Sequence, residues 1–242
     1  MSGIGFGDLN GDLAPDVAIG RLPVQTVAEA RTLVEKLGRE SLVVAEGVSR
    51  HLFVTDNQGR DDPSFRDNAA RMAALFSAST EATFADLSDG WSRARSTMIE
   101  SLAAGSGFTS YFGHGGPERW ADEDLFTVED VPLLLGLKET VLLMWACQSQ
   151  YYASPYGPSL GEALLLLPQG GAVASIGPSA ISSTGGQEVL YRELYRALSG
   201  RRPLTLGEAF RRAKVKAARS TNEARDALLG FNLLGDPALR IR

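Results

Sequence analysis

The run Thr140-Val-Leu-Leu-Met-Trp-Ala146 is apolar almost throughout yet far too short to cross a membrane, so it reads as a strand buried on both faces. Such a strand belongs in the middle of a parallel sheet with helices on either side. The remaining segments supply those layers. Thr26-Val-Ala-Glu29 is a capping box opening an amphipathic stretch towards Leu37. His51 to Asp56 reads as a short buried strand ending in an acid, Phe65 to Phe76 as a helix, Glu81 to Asp86 as a strand and Ser96 to Ala104 as a helix. A strand then ends at His114, and a loop holding Trp120 leads to Thr127-Val-Glu-Asp130, which caps a short helix. Ser159-Leu-Gly-Glu162 caps another, Gly171 to Ile176 is strand-like, Thr205-Leu-Gly-Glu208 opens a further helix, and Gly235 to Ile241 reads as a turn followed by a short strand. This alternation predicts an α/β fold, a three-layer α/β/α sandwich around a mostly parallel sheet.

With 242 residues, 44% of them hydrophobic, the chain can bury the core of one domain. Residues 1–24 read as a leading loop region and 25–242 as the main domain. Its first residues are glycine-rich and uncapped, so the protein is expected to continue upstream. Met1 to Asn10 lacks the basic and apolar parts of a signal peptide, and no apolar run is long enough for a membrane span. The formal charge is −5, and basic residues cluster only at Arg201-Arg202 and at Arg211-Arg-Ala-Lys-Val-Lys216. The first pair flanks a turn and the second has the spacing of a solvated helix face, so neither a nucleic-acid nor a membrane partner is expected.

Cys147 is the single cysteine, which excludes an intrachain disulfide and a multi-cysteine metal cluster and leaves the compartment open. It ends the Thr140–Ala146 run as His114 ends the run from Gly107. If those strands share a parallel sheet, thiol and imidazole reach the same edge, where open α/β sheets bind ligands. A free thiol titrates near pH ~8.5, and a neighbouring imidazole supplies the base that makes it a nucleophile. Gly115 and Gly116 leave amides unshielded, and one of them with the Cys147 amide suits a developing oxyanion. The plainer alternatives remain open: an inert core thiol for Cys147 and a structural imidazole at a tight turn for His114. His51 reads as structural or exposed. Gly157-Pro-Ser159-Leu-Gly161 matches a serine-hydrolase elbow, but no histidine follows it, Pro158 disfavours the turn, and the capping box already accounts for Ser159.

Asp16-Val-Ala-Ile-Gly-Arg-Leu-Pro23, Tyr111-Phe-Gly-His-Gly-Gly-Pro-Glu-Arg-Trp120, Ala146-Cys147, Ser159-Leu-Gly-Glu-Ala-Leu164, Gly170-Gly-Ala-Val-Ala174 and Asn232-Leu-Leu-Gly-Asp-Pro-Ala-Leu239 follow one another over almost the whole chain. Together they resemble the catalytic domain of gingipain-like cysteine peptidases, which have the caspase-type fold and are often secreted. The resemblance implies Cys147 as nucleophile, His114 as its proton-transfer partner, and the Gly115 and Cys147 amides as the oxyanion site. Asp56 falls where the family has a glutamate that orients the histidine, and its rival role is a loop cap. Asp67 falls at the acidic specificity-pocket position, which would select Arg or Lys before the cut. Its rival role is an acid favoured by the exposed amides of a helix start. Trp120 would wall that pocket or plug the core. Gln150 replaces a common glycine and is expected to narrow the substrate groove or alter the loop. The family's leading subdomain is missing from this sequence, which makes an upstream subdomain or regulatory partner an expected companion.

Asp8-Leu-Asn-Gly-Asp12-Leu-Ala-Pro-Asp16 offers oxygen donors at alternating positions, similar to calcium loops of integrin-like propellers. A propeller repeats its blades, and this pattern occurs once. A structural calcium at Asp8, Asn10, Asp12 and Asp16 is therefore weighed against a polar turn without metal. The expected function is peptide-bond hydrolysis by a cysteine endopeptidase that needs no cofactor for its chemistry. The alternative is a catalytically silent or partner-regulated protein-binding module on the same fold.

Overall fold

The computed structural model describes residues 4–47, 50–57, 64–77, 79–200 and 204–241. The expected turn at Arg201-Arg202 lies outside them. In chain order the elements are α1 (Ile4–Gly7), α2 (Val27–Gly47), β1 (Arg50–Thr55), α3 (Phe65–Ala73), β2 (Glu81–Asp86), α4 (Trp91–Ala104), β3 (Phe108–Phe112), β4 (Arg119–Trp120), β5 (Phe126–Thr127), β6 (Thr140–Trp145), α5 (Leu160–Leu166), β7 (Ala172–Pro178), α6 (Thr184–Ser199), α7 (Leu206–Ala218), α8 (Asn222–Gly230) and β8 (Phe231–Leu234). The main sheet has the order β2-β1-β3-β6-β7-β8. All its pairings are parallel except β7 with β8.

β6 explains why a continuous apolar run was needed. Val141, Leu143 and Trp145 pack with α3, α6, α7 and α8 on one face, while Leu142, Met144 and Ala146 pack with α4 and α5 on the other. Strand alternation sends neighbours to opposite faces, so a strand covered twice must be apolar at every position. The capping boxes hold the surrounding helices. Glu29 accepts the Gln25 and Thr26 amides at 2.6 and 3.0 Å, and buried Glu162 accepts the Ser159 amide at 2.8 Å and its hydroxyl at 2.7 Å. The leading segment is tied to the sheet edge: the Arg21 amide donates to Leu233 at 2.9 Å and the Gly235 amide to Arg21 at 2.9 Å.

Four expectations change. Helix α4 starts at Trp91, not Ser96. Helices α6 and α8, which the sequence reading passed over, complete one face, and Gly186 lets them touch: a Cβ there would sit 2.3 Å from the Glu223 carbonyl. The last strand precedes the Gly235 turn, and beyond that turn Arg240 makes only an isolated bridge to Thr205. Finally, the basic stretch of α7 is not wholly solvated. Lys214 is buried, donates to the Phe231 carbonyl at 2.6 Å and lies over the Phe210 ring. Desolvation depresses its ammonium to about 7.

Candidate active site

Strands β3 and β6 are parallel neighbours, with Phe112 opposite Trp145. The Gly113 amide extends the ladder by donating to the Trp145 carbonyl at 3.3 Å. His114 and Cys147 therefore each lie two residues past a paired position, Phe112 and Trp145, just beyond the ends of neighbouring strands. Both lie at the edge where parallel strands end, and where the chain must turn away.

Each turn is enforced locally. The His114 carbonyl accepts the Tyr111 hydroxyl at 2.6 Å and the Ala121 amide at 3.1 Å, and the His114 amide donates to Asp56 Oδ2 at 2.8 Å. Asp56 continues β1, its own amide donating to the Phe112 carbonyl at 2.9 Å. Gly113 is obligatory between these groups, since a Cβ would lie 2.4 Å from the Asp56 Cβ. Gly115 faces Ala146, with only 3.1 Å for a Cβ, so the two strand-end loops are in contact. After Cys147 the chain reverses through Gln148, whose φ of 55° is left-handed, and the Gln148 amide donates to the Ala180 carbonyl at 3.2 Å. A left-handed side-chain residue costs on the order of 1 kcal/mol, a strain the surrounding contacts must hold.

The Cys147 thiol is half-buried and donates to the Ser182 carbonyl at 3.8 Å. The His114 side chain is exposed, and its ring meets Phe65 edge-on at 5.4 Å. Asp56 is 3% exposed. Burial raises its carboxyl above the ordinary value, against the pull of the His114 amide and the charge of His114. Its bond to His114 runs through the backbone, so what this carboxylate fixes is the loop that carries the imidazole.

A cleft of about 370 Å³ opens between α3 and α6, lined by Ser64, Asp67, Asn68, Arg71, Thr184, Gly185, Glu188 and Tyr191. Thr184 follows closely on Ser182, which receives the thiol, and Phe65, which supports His114, follows Ser64. Asp67 is exposed in the first turn of α3, where its amide donates to the Ser64 hydroxyl at 3.1 Å. Arg66 turns away to Asp86 at 2.7 Å. Arg71 bonds Asn68 and lies 4.0 Å from Glu188. Burial and the Glu188 carboxylate push the Tyr191 hydroxyl up to about 12, against the pull of the nearby Arg71.

The model of peptidase family C25 matches residues 1–242. The chain belongs to that family. The gingipain-like C25 fold, caspase-like in type, also carries the structural likenesses. The Arg-specific cysteine proteinase gingipain R has a TM-score of 0.85 at 16% identity, over 100% of this chain and 59% of that one. A complex of the pro- and mature domains of the Porphyromonas gingivalis gingipain RgpB gives 0.85 at 17%, over 100% and 60%. The chain thus spans about three-fifths of the gingipain chains it matches. A separase–securin complex of Saccharomyces cerevisiae gives 0.58 at 15%, over 84% of this chain and 13% of that one. No curated protein sequence matches the chain.

Within this C25 frame the other candidate residues separate. Trp120 is 2% exposed, stacks on Tyr111 at 4.6 Å and packs with Phe126 in the α4–α5 core, across the sheet from α3 and the Asp67 cleft. The indole is a core plug and not a wall of that cleft. Gln150 is fully buried, bonds the Ser175 hydroxyl and packs against Gly161 and Gly177, so it lies beneath the sheet ends and does not narrow a groove. His51 is buried among Phe53, Phe76 and Phe108. In the leading loop, Asp8 accepts the Gly11, Asp12 and Leu13 amides at 2.8, 3.2 and 2.8 Å, Asn10 accepts the Asp12 amide, Asp12 the Ala14 amide and Asp16 the Leu9 amide. Among the described residues no group of three or more His, Cys, Asp or Glu side chains is gathered to hold a metal.

Sequence reasoning missed Ser182, Arg71, Glu188 and Tyr191. Arg71 was within reach, lying one helical turn beyond Asp67. Glu188 was not, because its helix had gone unread.

Proposed function

We propose that this C25 chain is a cysteine endopeptidase whose nucleophile is Cys147 and whose proton-transfer partner is His114. The observation that carries the reading is their matched position past the ends of neighbouring parallel strands, with Gly115 against Ala146 closing the gap between the loops. Cys147 Sγ attacks the scissile carbonyl carbon as its proton passes to His114. Oxygen takes up the carbonyl's electron pair and faces the Gly115 and Cys147 amides. The amides around these two are already committed: Gly113 to Trp145, His114 to Asp56, Gly116 to Arg119 and Gln148 to Ala180. The C–N bond then breaks, His114 protonates the departing amine, and a thioester remains. Water attacks that thioester, His114 takes its proton, and the acid and the thiol are released.

Asp56 acts as a positioning residue through the His114 backbone. Thiol, imidazole and amides supply every group these steps use, so the chemistry is proposed to need no cofactor, and the Asp8–Asp16 loop is proposed at most as a structural calcium site. Asp67 makes a basic side chain before the cut the favoured substrate, through charge-assisted pairing in the cleft between α3 and α6. The separase likeness is to a chain bound to securin, and a protein partner that covers this edge is proposed on that basis alone.

Cleavage of an unbiased peptide library by wild type and Cys147→Ala, with and without calcium, tests the reading. Cuts made only by wild type, with Arg or Lys preceding them, support the dyad and the cleft. Equal cutting by Cys147→Ala removes the nucleophile assignment. No cutting by folded wild type in either condition favours the protein-binding module.

A further inference from the structure

Among the described residues the cleft is lined by two carboxylates, Asp67 and Glu188, and one cation, Arg71, so these three side chains together carry a single net negative charge. Arg71 is not a bystander there. Its guanidinium bonds Asn68 and stands 4.0 Å from Glu188, and both of those residues line the same cavity. The protein therefore already sets a guanidinium among the groups that would receive an arginine side chain. Arg71 projects from α3 and Glu188 from α6, so their pairing spans the cleft from one helix to the other.

We infer that Arg71 is an internal counter-ion of the acidic cleft that competes with a basic substrate side chain for Glu188. This rests on the proposed role of Asp67 in the same cleft and adds two specificity-determining residues to it. When a cationic side chain enters, Asp67 takes one charge and Arg71 has to release Glu188 or share it. Substrate preference then follows the net charge of the cleft. Arg71→Met raises the negative charge, Glu188→Gln leaves Arg71 to neutralise Asp67, and the double variant restores the starting charge. Arg71 and Glu188 are 58% and 46% exposed, so the substitutions leave the core intact and the effect of each is screened by water.

Calorimetric binding of N-acetyl-arginine amide to Cys147→Ala protein carrying these changes tests the inference apart from catalysis. Arg71→Met is expected to tighten binding by about five-fold, Glu188→Gln to weaken it by about five-fold, and the double variant to recover the starting affinity. The same order is expected in the kcat/KM ratio of arginine over leucine peptides for the proteins that retain Cys147. Unchanged or weaker binding by Arg71→Met overturns the inference, as does a double variant that binds like Glu188→Gln. If binding follows the expected order but no peptide is cut, the counter-ion stands and the peptidase reading falls. If peptides are cut after residues of any charge and the order is absent, the peptidase stands and the counter-ion falls.

Discussion

The loops at residues 8–16 and 113–120 are both polar and glycine-bearing, and both were candidates for function, but they are held in opposite ways. The carboxylates of the first turn inward on its own backbone, where Asp8 alone receives three amides and Asp12 and Asp16 one each. In the second, tertiary partners hold the loop: Asp56 from β1, Tyr111 from β3 and Ala146 from the end of β6. A loop that satisfies its own polar groups takes its shape from local sequence. A loop held from three strands transmits the geometry of the sheet to the residue it carries, here His114.

The contrast can be broken most sharply at Trp120, which anchors the second loop. Trp120→Ala should cost about 3–5 kcal/mol in urea unfolding, and any folded remainder should keep its cleavage preference, because the indole is across the sheet from the cleft. A changed preference at unchanged stability would return Trp120 to the substrate site. Gly113→Ala comes next, with about 1–3 kcal/mol lost to overpacking against Asp56 and a marked fall in kcat. Normal activity in that variant would mean that the His114 loop has room the contacts deny. Asp56→Ala removes the acceptor of the His114 amide and should cost about 1–3 kcal/mol. In the first loop Asp8→Ala should give the smallest loss of stability and leave peptide cleavage intact, and an equal loss at the two aspartates would erase the distinction.

The same pair predicts opposite slopes with pH. Burial raises the folded-state value of Asp56 above its unfolded one, so its contribution is greatest below the ordinary carboxyl range and is lost as pH rises through the raised value. For Asp8, burial pushes upward, but the amides of Leu13, Gly11, Asp12 and Asn10 outweigh it and hold the carboxyl low. Its contribution is present above the unfolded value and is lost as pH falls through the lowered one. Measured by urea unfolding from pH 3 upwards, the stability of wild type relative to Asp56→Asn should fall with rising pH, and relative to Asp8→Asn it should rise. Parallel slopes would contradict the burial assigned to Asp56.

Much of this was legible in the residue pattern. The Thr140–Ala146 run predicted a doubly covered strand, and the boxes at Thr26 and Ser159 and the cap at Thr205 marked helix starts correctly, because capping is chemistry between residues three apart. Helix α6 escaped because it opens with Gly185 and Gly186, poor helix formers whose justification is close packing on α8. The cleft half-escaped for the same reason, since Asp67 stood on a readable helix and Glu188 did not. Lys214 misled because helical spacing says which residues share a face and not whether that face is covered.

By itself the sequence determined strands β1, β2, β3, β6 and β7, the helix caps and the two residues, His114 and Cys147, that end apolar runs, because those features depend on alternation and on contacts a few residues long. Only the tertiary structure decided that Trp120 and Asp67 lie on opposite sides of the sheet, that Gln150 is buried, and that Arg71 meets Glu188. Each of those depends on which helix covers which face, and that is settled by packing between segments distant in the chain.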